Sequence, residues 1–215
     1  MPHPSMPTRL GACASRLVPV LQAPGGAGAL SLIPDHIEIA LAVEGADGRT
    51  RTLGPLDYRA WSASPQSLFP MALDNLRQRC GAAWAEPGEG PAVRMCASDH
   101  VASSRALLLP ELMTPWPAEG VLVTVPCRDR LLCLPLRGVG DLRALDFMLQ
   151  ATRQLFQSTD EPISDQLFWF DCDNWSAIAV NHESNDGPIL QPTPSLRRAV
   201  ARLVCMSYVS GPASA

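Results

Sequence analysis

Lysine is missing from this chain: all 17 basic residues are arginine, which reads as genome composition and not as mechanism. Against 21 acidic residues they leave a net charge of −4. They are also scattered, with small groups such as Arg77/Arg79, Arg128/Arg130 and Arg197/Arg198/Arg202. No basic stripe interleaved with aromatics results, so nothing drives the chain toward nucleic acid or an anionic membrane surface. Long apolar runs are lacking as well, and none approaches the roughly 18–20 residues of a membrane span. The opening Met1-Pro2-His3-Pro4 has no charged region leading into an apolar one, so no secretory signal is expected. The seven cysteines, at 13, 80, 96, 127, 133, 172 and 205, contain no CxxC pair. Their odd number and apolar neighbours predict reduced thiols without a catalytic role, each acting as a small hydrophobe. A disulfide scaffold belongs to smaller, secreted domains. These absences point to a cytoplasmic protein.

Signature motifs are scarce too. There is no GxxxxGK[ST] and no strand-linked GxGxxG, so nucleotide binding by those routes is unsupported. His3, His36, His100 and His182 lie far apart without HExxH spacing, and no zinc site is expected. Asp171-Cys172-Asp173-Asn174 opens like a calcium loop, but Trp175 takes the fifth position, Ser176 the sixth and His182 the twelfth. A polar hairpin turn fits better. Neither a metal nor a cofactor is implied.

What is present is a globular balance, 47% hydrophobic with 18% charged, over 215 residues, enough for one large domain. Residues 1–34, rich in Pro, Gly and Ala, are expected to form an arm in which only Arg16 to Leu21 could pair or pack. The domain proper is expected over 35–207, with a frayed tail over 208–215. His36 to Val43 begins with strand alternation and returns through the Ala46–Arg49 turn into Thr50–Leu53. Leu68, Phe69, Ala72, Leu73, Leu76 and Cys80 share one helical face, with a start near Ser67 that puts Pro70 in the first turn and leaves Asn75 off the stripe. Ala92–Cys96 reads as a strand, and Ser98-Asp99 as the cap of a helix over Val101–Leu109 that Pro110 stops. Val121–Val125 and Leu131–Leu134 form an apolar hairpin, with Pro126 and Pro135 marking strand ends or an edge. The most regular helix runs from about Asp141 to Phe156. Leu167–Phe170 and Trp175–Val180 make a further hairpin, and Thr193-Pro194 starts a last helix. Hairpins alternating with single helices predict the α+β class, a mixed, mostly antiparallel sheet with three to four helices packed against it.

Three groups of residues invite a chemical reading. Asp99, His100, Ser103 and Ser104 hold hydrolase parts, yet a triad needs its base oriented by a carboxylate from a converging element, and no Gly-x-Ser-x-Gly elbow occurs. A capped helix start with a surface histidine accounts for the same residues. Arg128-Asp129 is either the solvated charge of a hairpin tip or a rigidly presented fork for a carboxylate or phosphate of a partner. Trp61, Trp116 and Trp175 look exposed, as interface anchors do, although core packing explains them too.

Ala72-x-x-Asn75-Leu76, Asp99 with Ser103 or Ser104 ahead of Leu107-Leu108, and Val123-Thr124-Val125-Pro126-Cys127-Arg128-Asp129 together resemble the YtpQ-like family of uncharacterised bacterial proteins. The Ile163-Ser164 to Leu167-Phe168 step is similar as well, so the resemblance runs from about residue 30 to 180. It implies a small cytoplasmic α+β protein with no established activity. Cys127 stands where a small polar residue is expected.

Without a catalytic set, the leading expectation is a non-enzymatic protein-binding protein, such as an immunity protein that neutralises a toxin. Its candidate binding residues are Asp99, Ser103, Arg128, Asp129 and Trp116. One alternative is a small hydrolase or transferase with Asp99, Ser103 and Arg128 at one cleft. Another is a structural subunit of a homo-oligomer.

Overall fold

The computed structural model describes residue 11 and residues 13–79, 92–97, 99–181 and 189–209. Among them the chain is α+β, with two antiparallel sheets in place of a single sheet. The first contains β1 (Leu17–Gln22), β2 (Leu30–Ile33), β3 (Ile37–Glu44) and β4 (Thr50–Thr52). β3 is its axis: β1 pairs along one side from Leu17↔Val43 to Gln22↔Glu38, while β2 and β4 share the other side. The segment 17–33 is therefore not a loose arm. Leu17, Val18, Val20 and Leu21 are fully buried, and Pro19 is tolerated because β1 has a neighbour on one side only.

Two further sequence expectations shift here. A short helix α1 (Pro55–Trp61) follows β4, begun by Pro55 at its first position and by Asp57, whose carboxylate accepts from the Gly54 N–H at 2.9 Å. The helix α2 (Pro65–Arg79) starts earlier than Ser67, because Ser64 and Ser67 cap each other reciprocally (3.0 and 3.1 Å). Pro70 thus lies inside the helix, where the carbonyl it leaves unmatched, that of Gln66, is on an exposed residue that water can reach. Asn75 is not an outward-facing residue: its amide donates to the carbonyls of Ala14 (2.7 Å) and Leu17 (2.8 Å), tying α2 to the start of β1.

The second sheet has the order β10-β9-β8-β6-β7-β5. Its strands are β5 (Arg94–Cys96), β6 (Val121–Cys127), β7 (Arg130–Pro135), β8 (Leu167–Phe170), β9 (Trp175–Asn181) and β10 (Ile189–Gln191). β10 arises in a stretch expected to be loop. Val121, Val123 and Val125 point to one face and join Leu131, Cys133 and Phe168 with Leu21, Ile33, Ile37 and Ile39 of the first sheet in one apolar cluster. Leu122, Leu132 and Leu134 point to the opposite face, which is covered by α4 (Leu145–Ser158) and α5 (Pro194–Val209). Because both faces of β6 are buried, its sequence reads as a continuous apolar run, without alternation. α5 extends through Val209, past the expected start of the tail, and residues 210–215 lie outside the described residues.

The helix expected from Asp141 begins as a 3-10 turn over Val139–Ala144 before becoming α4. The Asp141 carboxylate accepts from the Gly138 N–H at 2.8 Å and fixes that entry. Met148, Leu149 and Thr152 form the buried stripe that faces the sheet. The one polar member of this stripe is matched inside the core. Thr152 Oγ1 donates to the Met148 carbonyl (2.7 Å), so Thr124 Oγ1, also at 2.7 Å, must be the donor to Thr152. Gly120, at φ +76°, leads into β6 where an added Cβ would stand 2.4 Å from the Phe170 carbonyl oxygen, so no other residue fits. Its neighbour Glu119 accepts from Trp169 Nε1 through its carbonyl (2.9 Å) and pairs with Arg202 of α5 at 2.5 Å through its carboxylate.

Leu149 is 2% exposed at the centre of the α4 interface. Leu149→Ala should lower the urea-unfolding free energy by about 2–5 kcal/mol, the usual cost of a buried leucine with its cavity. A midpoint equal to that of the wild type would show that α4 does not rest on the sheet through this residue.

Candidate functional site

The β6–β7 hairpin ends in Arg128 and Asp129, but its tip is not an open, solvated turn. On one side the Ser103 N–H donates to the Arg128 carbonyl at 3.0 Å, from a 3-10 segment over Ala102–Leu108. On the other side the chain after Thr159 runs antiparallel to the hairpin. Cys127 bridges Pro162, and the Ile163 N–H donates to the Pro126 carbonyl (2.9 Å). Pro126 therefore sits at an irregularity of the ladder, between Thr124 and Cys127, where no strand partner requires its missing N–H.

Docking the tip in this way leaves a cleft of about 320 Å³ lined by Arg49, Thr50, His100, Arg128, Asp129, Thr159, Asp160 and Glu161. All eight side chains are polar, so the cleft suits a charged or strongly hydrogen-bonding group over an apolar one. Arg49 and Thr50 come from the β3–β4 turn of the first sheet, and Arg128 and Asp129 from the second. The site thus exists only where the two sheets meet. Nothing local in the sequence foretells that Arg49 reaches the cleft. Thr159, Asp160 and Glu161 follow the end of α4, and their polar run was the only available signal.

Within the cleft, Asp129 is committed. Arg130 pairs with it at 2.7 Å, and the Cys127 thiol donates to it at 3.2 Å. Burial pushes the Cys127 thiol up to about 11, and the neighbouring carboxylate acts in the same direction. A thiol held neutral in this way is a poor nucleophile. Arg128 is different: its side chain is 20% exposed, and Nε lies 3.7 Å from Glu161, too far for a closed hydrogen bond.

The other sequence candidates behave as framework. Asp99 receives both guanidinium nitrogens of Arg105 at 2.8 Å, and its Oδ1 also accepts from the Val101 N–H at 3.1 Å. Arg105 is 2% exposed, a charge carried into the interior with its partner. Sequence reasoning passed over it, although a lone charge in the otherwise uncharged run Ala102–Leu109, six residues after an aspartate, is a usable sign. Ser103 and Ser104 are fully buried, and their hydroxyls have no hydrogen-bond partner among the described residues. The chain thus brings Asp99, Ser103 and Arg128 together, but only Arg128 opens to the cleft, and no base stands against the Ser103 hydroxyl. The helix expected over 101–109 is a 3-10 segment, and Pro110 starts the short α3 (Leu109–Leu112) instead of ending a helix. Trp116 is half-buried, edge-on to Phe170 at 5.6 Å, while Trp175 stacks on the same ring at 4.6 Å. Trp61 packs on the first sheet's core. These tryptophans are core-facing, not the free anchors that the sequence suggests, and Trp116 does not line the cleft.

Among the described residues no group of three or more His, Cys, Asp or Glu side chains is placed to hold a metal ion. No helix there is long and apolar enough to cross a membrane. Cys13, Cys96, Cys127, Cys133, Cys172 and Cys205 are free thiols, while Cys80, His182 and the expected cap Ser98 lie outside the described residues. No family model, curated protein or solved structure matches the chain.

Two measurements follow from these contacts. The Arg105 guanidinium holds the Asp99 carboxyl below its ordinary value, against the upward push of burial. Its stabilisation is therefore present above the unfolded-state value, about 3.9, and is lost as pH falls through the lower folded value. Asp99→Asn should cost about 1–2 kcal/mol at pH 7, kept small by the aspartate's partial exposure, and the gap in urea midpoints should narrow progressively as pH falls below about 3.9. A gap constant with pH would remove the ion pair as its cause. In thiol titration of the native protein, Cys172 and Cys205 should react ahead of Cys96, Cys127 and Cys133, which need denaturant. A fast Cys127 would contradict its buried, neutral state.

Proposed function

We propose that this chain is a non-enzymatic protein-binding protein whose recognition surface is the cleft at the β6–β7 tip, with Arg128 as its central contact. One observation carries the reading: Arg128 is largely withdrawn from water, fixed through its backbone, and met by Glu161 only at 3.7 Å, short of a closed ion pair. A guanidinium in that condition gains more from a partner's anion than a freely hydrated one does, because much of its desolvation has already occurred. Asp129 supports the tip through Arg130 and Cys127, so its contribution to recognition is to hold the turn. Asp99 and Ser103 contribute at one remove, by fixing the 3-10 segment against which the tip docks. The particular form we favour is an immunity protein that neutralises a toxin in the cytoplasm. The net charge of −4 suits a basic partner. The resemblance to the YtpQ-like family belongs to the same proposal and adds the expectation of bacterial origin.

The test uses the full chain as bait in its native host, with wild type and Arg128→Ala compared at equal folded concentration. The long pair to exposed Glu161 should contribute only about 0–1 kcal/mol to stability, leaving the thermal midpoint nearly unchanged. Partner binding should weaken by about 2 kcal/mol or more, roughly 30-fold, as expected when a central arginine is removed. A folded variant that keeps every partner at wild-type affinity overturns this reading. Capture of the product of an adjacent toxin gene supports its particular form.

A further inference from the structure

We infer that the cleft is a carboxylate-binding subsite in which Glu161 is an internal stand-in, occupying the place at Arg128 that an Asp or Glu side chain of the partner takes over. The inference rests on the binding role proposed above and specifies its chemistry.

The geometry of the ion pairs carries it. Arg51–Asp57, Arg77–Asp74, Arg77–Glu111, Arg79–Glu44, Arg105–Asp99, Arg130–Asp129 and Arg202–Glu119 all close to between 2.5 and 2.9 Å. The pair between Arg128 Nε and Glu161 stands at 3.7 Å, although both segments are tied in place. The Arg128 carbonyl accepts from Ser103 at 3.0 Å, and the chain beyond Glu161 is fixed by the Cys127–Pro162 bridge and the Ile163-to-Pro126 hydrogen bond. Glu161 is held near the guanidinium without gripping it. Its side chain is 66% exposed and can swing into solvent at little cost, whereas that of Arg128 is 20% exposed and cannot follow. A carboxylate arriving from outside can take up the bidentate fork geometry that Glu161 does not reach.

The charge around the cleft selects among anions. Asp129 is matched by Arg130, leaving Arg49 and Arg128 against Asp160 and Glu161. A singly charged carboxylate meets that balance once Glu161 turns away. A phosphate near its second ionisation carries more negative charge against Asp160 and Glu161 and is disfavoured. The absence of apolar lining residues argues against a ligand recognised mainly by burial.

The probes are acetate and inorganic phosphate, titrated at constant ionic strength into ¹⁵N-labelled full-length protein. The readout is the Arg128 Nε–Hε resonance, assigned by its loss in Arg128→Lys. Acetate should move it saturably, and Glu161→Gln should tighten the response roughly two- to five-fold, the range for release of an exposed competing pair. Phosphate should require a higher concentration than acetate. An acetate response equally strong in wild type and Glu161→Gln removes the stand-in role. No saturable response in Glu161→Gln, or phosphate saturating first, overturns the carboxylate assignment. Loss of the partner in Arg128→Ala without any acetate response leaves the binding reading intact and discards this one. An acetate response in a protein whose partner binding ignores Arg128 leaves a carboxylate site and discards the protein partner.

Discussion

The apolar seam between the two sheets is the contact on which the other arrangements rest. Leu21, Ile33, Ile37 and Ile39 from one side meet Val121, Val123, Leu131 and Phe168 from the other, each 6% exposed or less. Burial of that kind stabilises by about 1.5–3 kcal/mol per large side chain. It also fixes register, since a slip of one residue in β6 would turn Val121 and Val123 outward and bring Leu122 and Thr124 into the seam. Thr124 is matched by Thr152 on the helical side, so the slipped register would leave the Thr124 hydroxyl without that partner, while Thr152 keeps its bond to the Met148 carbonyl. The hydrogen bond between them adds specificity to a seam whose apolar contacts alone are not directional.

The cleft depends on this seam. Arg49 and Thr50 belong to one sheet and Arg128 and Asp129 to the other, so the distance across the site is set by how the sheets stack. The side chains that hold the walls are mostly not those that face the ligand space. Asp99 and Arg105 brace the 3-10 segment, and Ser103 meets the tip through its backbone N–H. Framework and recognition are thus divided between neighbouring residues. Placing the contact side chain on a braced hairpin turn, not a free loop, keeps its conformational freedom low before any ligand arrives.

Much of the fold was legible in the sequence where a single period dominated. The α4 stripe of Met148, Leu149 and Thr152 and the β3–β4 and β8–β9 hairpins carry clear 3.6- and 2-residue patterns with turn residues between them. Legibility failed where tertiary pairing overrode local composition. β1 and β2 sit among Pro and Gly residues that read as an arm, and only the neighbouring β3 makes them strands. β10 is three residues long beside Pro192, too short to show alternation. The sequence did single out Arg128, since a charged pair between two apolar strands is visible in one dimension. It could not bring Arg49 or Glu161 to it, because they are separated from Arg128 by tens of residues: the stacking of the sheets supplies Arg49, and the bridge of Pro162 to Cys127 supplies Glu161.

The aromatic side chains around Gly120 have a practical consequence. Three of the five tryptophans lie at this end of the second sheet. Trp169 is hydrogen-bonded to Glu119, and Trp116 and Trp175 both contact Phe170, one edge-on and one stacked. Rings held in fixed, asymmetric contact couple their electronic transitions, and they lose that coupling when the packing loosens. The near-ultraviolet circular dichroism of this protein is accordingly an intrinsic optical gauge of the β8–β9 hairpin. It reads the integrity of that end of the sheet without any attached label, at the opposite end of β6 from the charged cleft.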